Sequence, residues 1–182
     1  MSEKKAFAAL RELSRLSRQS AAGLPAQVDV KPYWSGIGFT LFGKKFVAPM
    51  GEVSETLEVP PFTHLPGVKG WVKGVANVRG RLLPITDLAE YFGGKLESGR
   101  RSQRVLVLEQ GEIYSGLMVD GVYGIQRFPV DEYAPVVRGV DQEALKPYLQ
   151  GTFLDESTAE PWIVFSPWML TKDEAFFQAA IA

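Results

Sequence analysis

Several groups of residues in this chain have the types that chemistry uses, and each falls short in spacing or setting. Gly38-Phe39-Thr40-Leu41-Phe42-Gly43-Lys44 has the glycine-to-lysine spacing of a phosphate-binding loop, but Lys45 stands where a hydroxyl is needed to hold magnesium. Its interior alternates like a strand, which cannot wrap phosphates with backbone N–H groups, and no helix pattern follows. His64 is the only histidine, so a histidine metal cluster and a histidine-based triad lack their parts; between Thr63 and Leu65 it reads as structural. Glu52, Glu55 and Glu58 recur at spacing three. On a strand the first and last share a face and Glu55 takes the other, so they do not converge as an acid/base pair and read as solvated or interface carboxylates. Trp34, Trp71, Trp162 and Trp168 are surfaces on which bases stack, but no basic stripe runs between them, which favours core or interface roles. There is no cysteine, hence no disulfide, thiolate nucleophile or cysteine zinc site, and a reducing compartment fits. The chain is expected to be no enzyme and to hold neither metal nor cofactor.

The elements that must position whatever function remains are mostly strands. With 182 residues, 46% hydrophobic and 23% charged, there is material for one large core or two small ones. A net charge of -1 gives no electrostatic reason to seek nucleic acid or anionic membrane. The charge is uneven: residues 1–31 hold Lys4, Lys5, Arg11, Arg15, Arg18 and Lys31 against Glu3, Glu12 and Asp29, a local +3 that leaves -4 for the remainder. No apolar stretch approaches the roughly 20 residues that span a bilayer, and the N-terminus lacks the pattern of a signal peptide, so the expectation is a cytoplasmic protein.

Residues 3–21 read as an amphipathic helix, with Phe7, Leu10, Leu13 and Leu16 every third residue, basic residues between them, and Gly23-Leu24-Pro25 ending it. Such a helix either packs on its own domain or serves as a membrane-surface or partner-binding element. Ala26 to Pro32 reads as a linker. Phe39–Phe42 and Lys45–Ala48 form a hairpin about Gly43-Lys44, and Val53–Val59 is extended. Arg104–Glu109 and Glu112–Asp120 repeat the grammar about Gly111, followed by Val122–Phe128. This weak internal repeat predicts two similarly built β-subdomains joined by a crossing at Lys95–Ser102, in small barrels or sandwiches. Near the C-terminus, Trp162–Phe165 reads as a buried strand, and Thr171-Lys172-Asp173-Glu174 as a capping box before a helix whose Phe176 and Phe177 pack inward.

The most ordered stretch runs from Pro66 to Gly94. Val75–Val78 and Leu82–Ile85 are short strands meeting at Asn77-Val78-Arg79-Gly80, which thrusts Arg79 outward. Pro84 confines its strand to a sheet edge or a strand end. Thr86 or Asp87 caps a helix over Leu88–Phe92 that Gly93-Gly94 stops. Val72–Leu88 (V-K-G-V-A-N-V-R-G-R-L-L-P-I-T-D-L) closely resembles the G-V-x-N-x-R-G-x-x-x-P-x-x-D-L signature of the chemotaxis coupling proteins, the CheW-like family.

That resemblance covers about Gly36 to Phe176 and implies a mainly β fold: two five-stranded SH3-like β-barrels with short helices, spanning 36–182, with a crossing near 93–103, behind an N-terminal helical extension and linker at 1–35. It implies a non-enzymatic scaffold that bridges the cytoplasmic tip of a methyl-accepting chemoreceptor to the regulatory domain of a CheA-type histidine kinase, with the membrane met only through the receptor. Asn77, Arg79 and Gly80 map to receptor binding, together with Val53 of a Val-x-Glu strand. Glu55 of the same strand, and Asp120 and Val122 of a Val-Asp-x-Val signature, map to kinase binding. The chain departs from the family pattern where Ser166-Pro167-Trp168 follows the last strand, leaving Met169-Leu170 for a Leu-Leu pair, and in its helical extension. The whole is most similar to coupling proteins of type IV pilus chemosensory systems, which implies a large hybrid kinase and twitching motility as the output. A flagellar or other chemosensory system is the alternative, and a nucleic-acid-binding small barrel a more remote one.

Overall fold

A computed structural model describes residues 3–20, 32–137, 139–155 and 160–180. The chain divides into two units, residues 1–31 and 32–182. The first holds helix α1 (Glu3–Ser20). Phe7, Leu10, Leu13 and Leu16 lie exposed along it, and Arg15 Nη2 is 2.7 Å from Glu12 Oε1 one turn back.

The second unit is built of two six-stranded sheets. One contains β1 (Tyr33–Leu41) and β2 (Lys44–Pro49), then leaves the chain until β9 (Gly121–Pro129), β10 (Tyr133–Ala134), β11 (Leu149–Leu154) and β12 (Pro161–Phe165). Its order is β10-β11-β12-β2-β1-β9. The other takes the intervening strands β3 (Glu55–Glu58), β4 (Phe62–Thr63), β5 (Val72–Val78), β6 (Arg81–Asp87), β7 (Arg104–Gln110) and β8 (Ile113–Val119), in the order β3-β7-β8-β6-β5-β4. In each sheet one strand, β10 or β4, is only two residues long. The remainder give the five-stranded barrel expected for each. The repeat is present too, since hairpins β1–β2 and β7–β8 fall in different sheets.

The crossing differs from expectation. Residues 92–103 begin and end in the same sheet; the chain changes sheet between β2 and β3 and again at Asp120-Gly121. The second barrel is therefore inserted into the first. The physical reason is that each sheet is joined through its middle by a parallel pairing of strands separated in sequence, β12 with β2 and β6 with β8. Such pairing leaves no local signature in the chain. Pro84 also differs: β6 is an interior strand. Its ladder to β8 starts only at Ile85, so Pro84 has a strand partner on one side alone, Val75 of β5.

Three clusters of buried side chains explain the unbroken apolar runs. Val105 and Val107 point into the inserted barrel with Ala76, Leu83, Ile85 and Met118. Leu106 and Leu108 point the other way, into a core shared by both sheets with Phe39, Phe46, Leu117, Val119 and Phe165. On β12, Trp162 and Val164 fill the first barrel beside Phe128 and Phe153, while Ile163 and Phe165 join the shared core. A strand buried on both faces loses the alternation of a half-exposed one. All three clusters lie within residues 34–176. Deleting residues 1–31 is therefore expected to leave one cooperative unfolding transition, with a midpoint unchanged within error in a urea titration.

Short helices plug the shared core. Helix α2 (Leu88–Tyr91) is capped by Asp87, which accepts from Glu90 N, and ends at Phe92 with Gly93 at φ +79°. Helix α3 (Pro167–Leu170) explains the Ser-Pro-Trp departure: Ser166 is its N-cap and Pro167 its first residue. Helix α4 (Glu174–Phe177) starts at Asp173, which accepts from Ala175 N, not at Thr171. The Thr171 hydroxyl instead donates to Trp168 O, ending α3. Phe176 is buried in the shared core, whereas Phe177 is half exposed.

Gly74 is the position where backbone geometry is most constrained. It sits at φ +145° in an irregularity of β5, and a Cβ there would lie 2.1 Å from Thr63 O. Gly74→Ala is expected to lower stability by about 2 kcal/mol, read from the denaturation midpoint at unchanged slope.

Candidate partner-binding surface

The β5–β6 hairpin turns in two residues, Arg79-Gly80, between the paired Val78 and Arg81. Both have positive φ, +51° and +83°, as a type I′ turn requires. Glycine accepts this freely; an arginine there carries a conformational penalty of about 1 kcal/mol. Asn77 Oδ1 secures the turn by accepting from Gly80 N at 2.9 Å. Local stability alone would favour Asn-Gly at these two positions. Phe42, at φ +52° before Gly43 in the β1–β2 turn, is the other non-glycine residue held this way among the described residues.

That side chain is 76% exposed and places Nη2 2.8 Å from Glu55 Oε2 on edge strand β3. Next along the hairpin, Arg81 Nη1 lies 2.6 Å from Glu109 Oε1, and its guanidinium stacks 3.8 Å from the Tyr114 ring centroid. The Glu109 carboxylate holds the Arg81 guanidinium above its ordinary pKa. Leu82, beside them, is 70% exposed. The result is an open group of charge pairs at the end of the hairpin, with the exposed leucine on the other face of the strand. Among the described residues no group of three or more His, Cys, Asp or Glu side chains is placed to hold a metal ion.

Asn77, Arg79, Gly80 and Glu55 are thus brought together, although the sequence assigned Glu55 to a different partner. Val53 and Asp120 are not available for contact. Val53 is buried in the shared core. Asp120 is buried where β8 passes to β9; its Oδ1 accepts from Glu97 N at 2.6 Å and Ser98 N at 2.7 Å, and its own N–H donates to Thr40 O. Asp120 lies at the opposite end of β8 from Tyr114 and the Arg79-Gly80 turn. Val122 is half-buried on β9, opposite Phe39.

Glu52 also departs from the reading of a solvated carboxylate. It accepts from the Ser166 hydroxyl at 2.8 Å and Trp168 N at 2.9 Å, tying the first change of sheet to the start of α3. Burial pushes the Asp87 carboxyl above its usual range, opposed by its bond from Glu90 N and by Lys73 3.8 Å away. Trp34 and Trp162 pack in the first barrel, and Trp71 stacks on Phe176. His64 is exposed, edge-on to Phe62. Arg81, Glu109 and Tyr114 were not foreseen as a unit; the second long cation in Arg-Gly-Arg was the available signal.

The sequence model of the CheW-like domain matches residues 35–175. The chain belongs to the CheW-like family. It is 49% identical over 175 residues to Protein PilI of Pseudomonas aeruginosa, covering 96% of both chains. It is 26% identical over 127 residues to the chemotaxis protein CheW of Helicobacter pylori, covering 70% of this chain and 76% of that one. The crystal structure of the scaffolding protein TtCheW from Thermoanaerobacter tengcongensis superposes with a TM-score of 0.65 at 19% identity, over 79% of this chain and 95% of that one. The CheW-like fold thus accounts for the two barrels. It leaves α1 outside the matched domain.

Proposed function

We propose that this chain is a non-enzymatic coupling protein of a type IV pilus chemosensory system. It joins the cytoplasmic tip of a methyl-accepting receptor to the regulatory domain of a CheA-type hybrid kinase, and so controls twitching motility from the cytoplasm. The observation that carries this reading is the 49% identity to PilI over 96% of both chains. Relatives named CheW, at 26% over 70% of this chain, support a chemosensory role in general but make a flagellar system the weaker alternative.

Asn77, Arg79 and Gly80 engage the receptor in this proposal. Glu55 and Val122 face the kinase, while Val53 and Asp120 hold the strands behind them. The test is capture of the cognate kinase's regulatory domain by the purified chain, paired with twitching of a strain lacking the protein. Stoichiometric capture and restored twitching are expected. Failure of capture overturns the coupling role, and capture with restored swimming instead of twitching moves the protein to a flagellar system.

A further inference from the structure

Helix α1 has a face that nothing in the proposed coupling role uses. Phe7, Leu10, Leu13 and Leu16 are 65%, 64%, 63% and 47% exposed. At 100° per residue Ala9, Leu10, Leu13 and Leu16 share one arc and Phe7 flanks it, so this band, which also takes in Ser14 and Ser17, spans about half the circumference. Arg11, Arg15 and Glu12 project from the opposite side, with Arg15 paired to Glu12 at 2.7 Å. The Arg11 guanidinium lies 5.7 Å from the Phe7 ring centroid, at the boundary between the two faces.

We propose that α1 binds an anionic lipid bilayer, lying in the interface with this band immersed and its basic face on the headgroups. Three observations favour a bilayer as the occupant. The spacing of three, repeated without the compensating four, makes the stripe drift about 60° per step, so it cannot hold the narrow seam of a two-helix coiled coil. The chain's excess positive charge resides here: residues 1–31 sum to +3 and the remainder to -4, so attraction to an anionic surface is concentrated in this segment. A wide apolar arc opposite a basic face is the form of helices that lie in the membrane interface.

The helix is also no part of the common fold. It precedes the matched CheW-like domain at residue 35, yet the alignment with PilI, 175 of 182 residues, reaches into it by Ala8 at the latest. Bilayer contact through α1 goes beyond coupling and is measured without receptor or kinase, so its failure leaves the coupling role untouched.

The test is flotation of the full-length protein with vesicles of phosphatidylcholine alone, and of phosphatidylcholine mixed with phosphatidylglycerol. Wild type is expected to float with the mixed vesicles and release as salt rises. Leu10→Glu with Leu13→Glu, and separately Arg11→Glu with Arg15→Glu, are each expected to reduce partitioning on the order of tenfold or more. The melting temperature of the β unit should stay unchanged in both. Wild type that stays in solution with the mixed vesicles overturns the proposal, as does flotation that survives the leucine pair. A leucine pair that abolishes capture by the kinase domain, with no wild-type flotation, assigns the face to a protein instead.

Discussion

Arg79→Glu is expected to reduce receptor recruitment on the order of tenfold or more, with only a small change in melting temperature and kinase-domain affinity largely kept. The side chain is 76% exposed, and its ion pair with Glu55 at 2.8 Å is a surface contact, a class worth roughly 0–1 kcal/mol. An arginine central to a protein interface, by contrast, carries on the order of 2 kcal/mol or more through several directed hydrogen bonds. Reversing the charge also sets two carboxylates side by side, so the exchange Arg79→Glu with Glu55→Arg is the informative companion. It rebuilds the ion pair with opposite polarity. Recovered stability without recovered recruitment separates an interface arginine from a structural one. A large fall in melting temperature for the single variant, reversed by the exchange together with recruitment, would assign Arg79 to holding β3 against the turn.

Asp120→Ala is expected to lower stability by about 3 kcal/mol or more. The carboxylate accepts from two backbone N–H groups, Glu97 and Ser98, at 2.6 and 2.7 Å. Removing it strands both donors, and a buried donor left unpaired costs about 1–3 kcal/mol. Asp120→Asn keeps an acceptor oxygen and should lose roughly 1 kcal/mol, since bonds to a charged acceptor are the stronger ones. Chemical denaturation of the two variants checks the order. If either leaves stability intact while abolishing kinase-domain affinity, the side chain reaches the partner directly after all.

What the sequence revealed about this fold depended on whether the cause was local. The Arg79-Gly80 turn, the Asp87 cap and the hairpin about Gly43 are set by neighbours within a few residues, and each was legible. The runs Val105–Leu108 and Trp162–Phe165 announced strands, but not that each serves two cores at once, because burial on both faces erases the period that identifies a face. The place where the chain changes sheet, the interior position of Pro84 and the burial of Val53 and Asp120 all follow from contacts between distant residues. At the candidate surface the motif located the hairpin correctly. It could not show that Glu55, from a strand more than twenty residues earlier, closes onto Arg79. The Thr171 box failed for a different reason: Asp173 offered a better-placed acceptor two residues later.

The insertion of one barrel into the other has a consequence during synthesis. The strands of the inserted barrel, Glu55 to Val119, leave the ribosome as one continuous stretch and can pair as soon as they emerge. Hairpin β1–β2, made first, must wait for β9 on one side and for β12, ending at Phe165, on the other. At ~5–20 residues per second the interval from Pro49 to Phe165 lasts roughly ten seconds, with both margins of the nascent hairpin unpaired. The first-made hairpin is thus among the last parts of the fold to be completed. Factors that shield emerging chains would act on Tyr33–Pro49, and slowing translation after residue 49 should increase aggregation more than slowing it after residue 165.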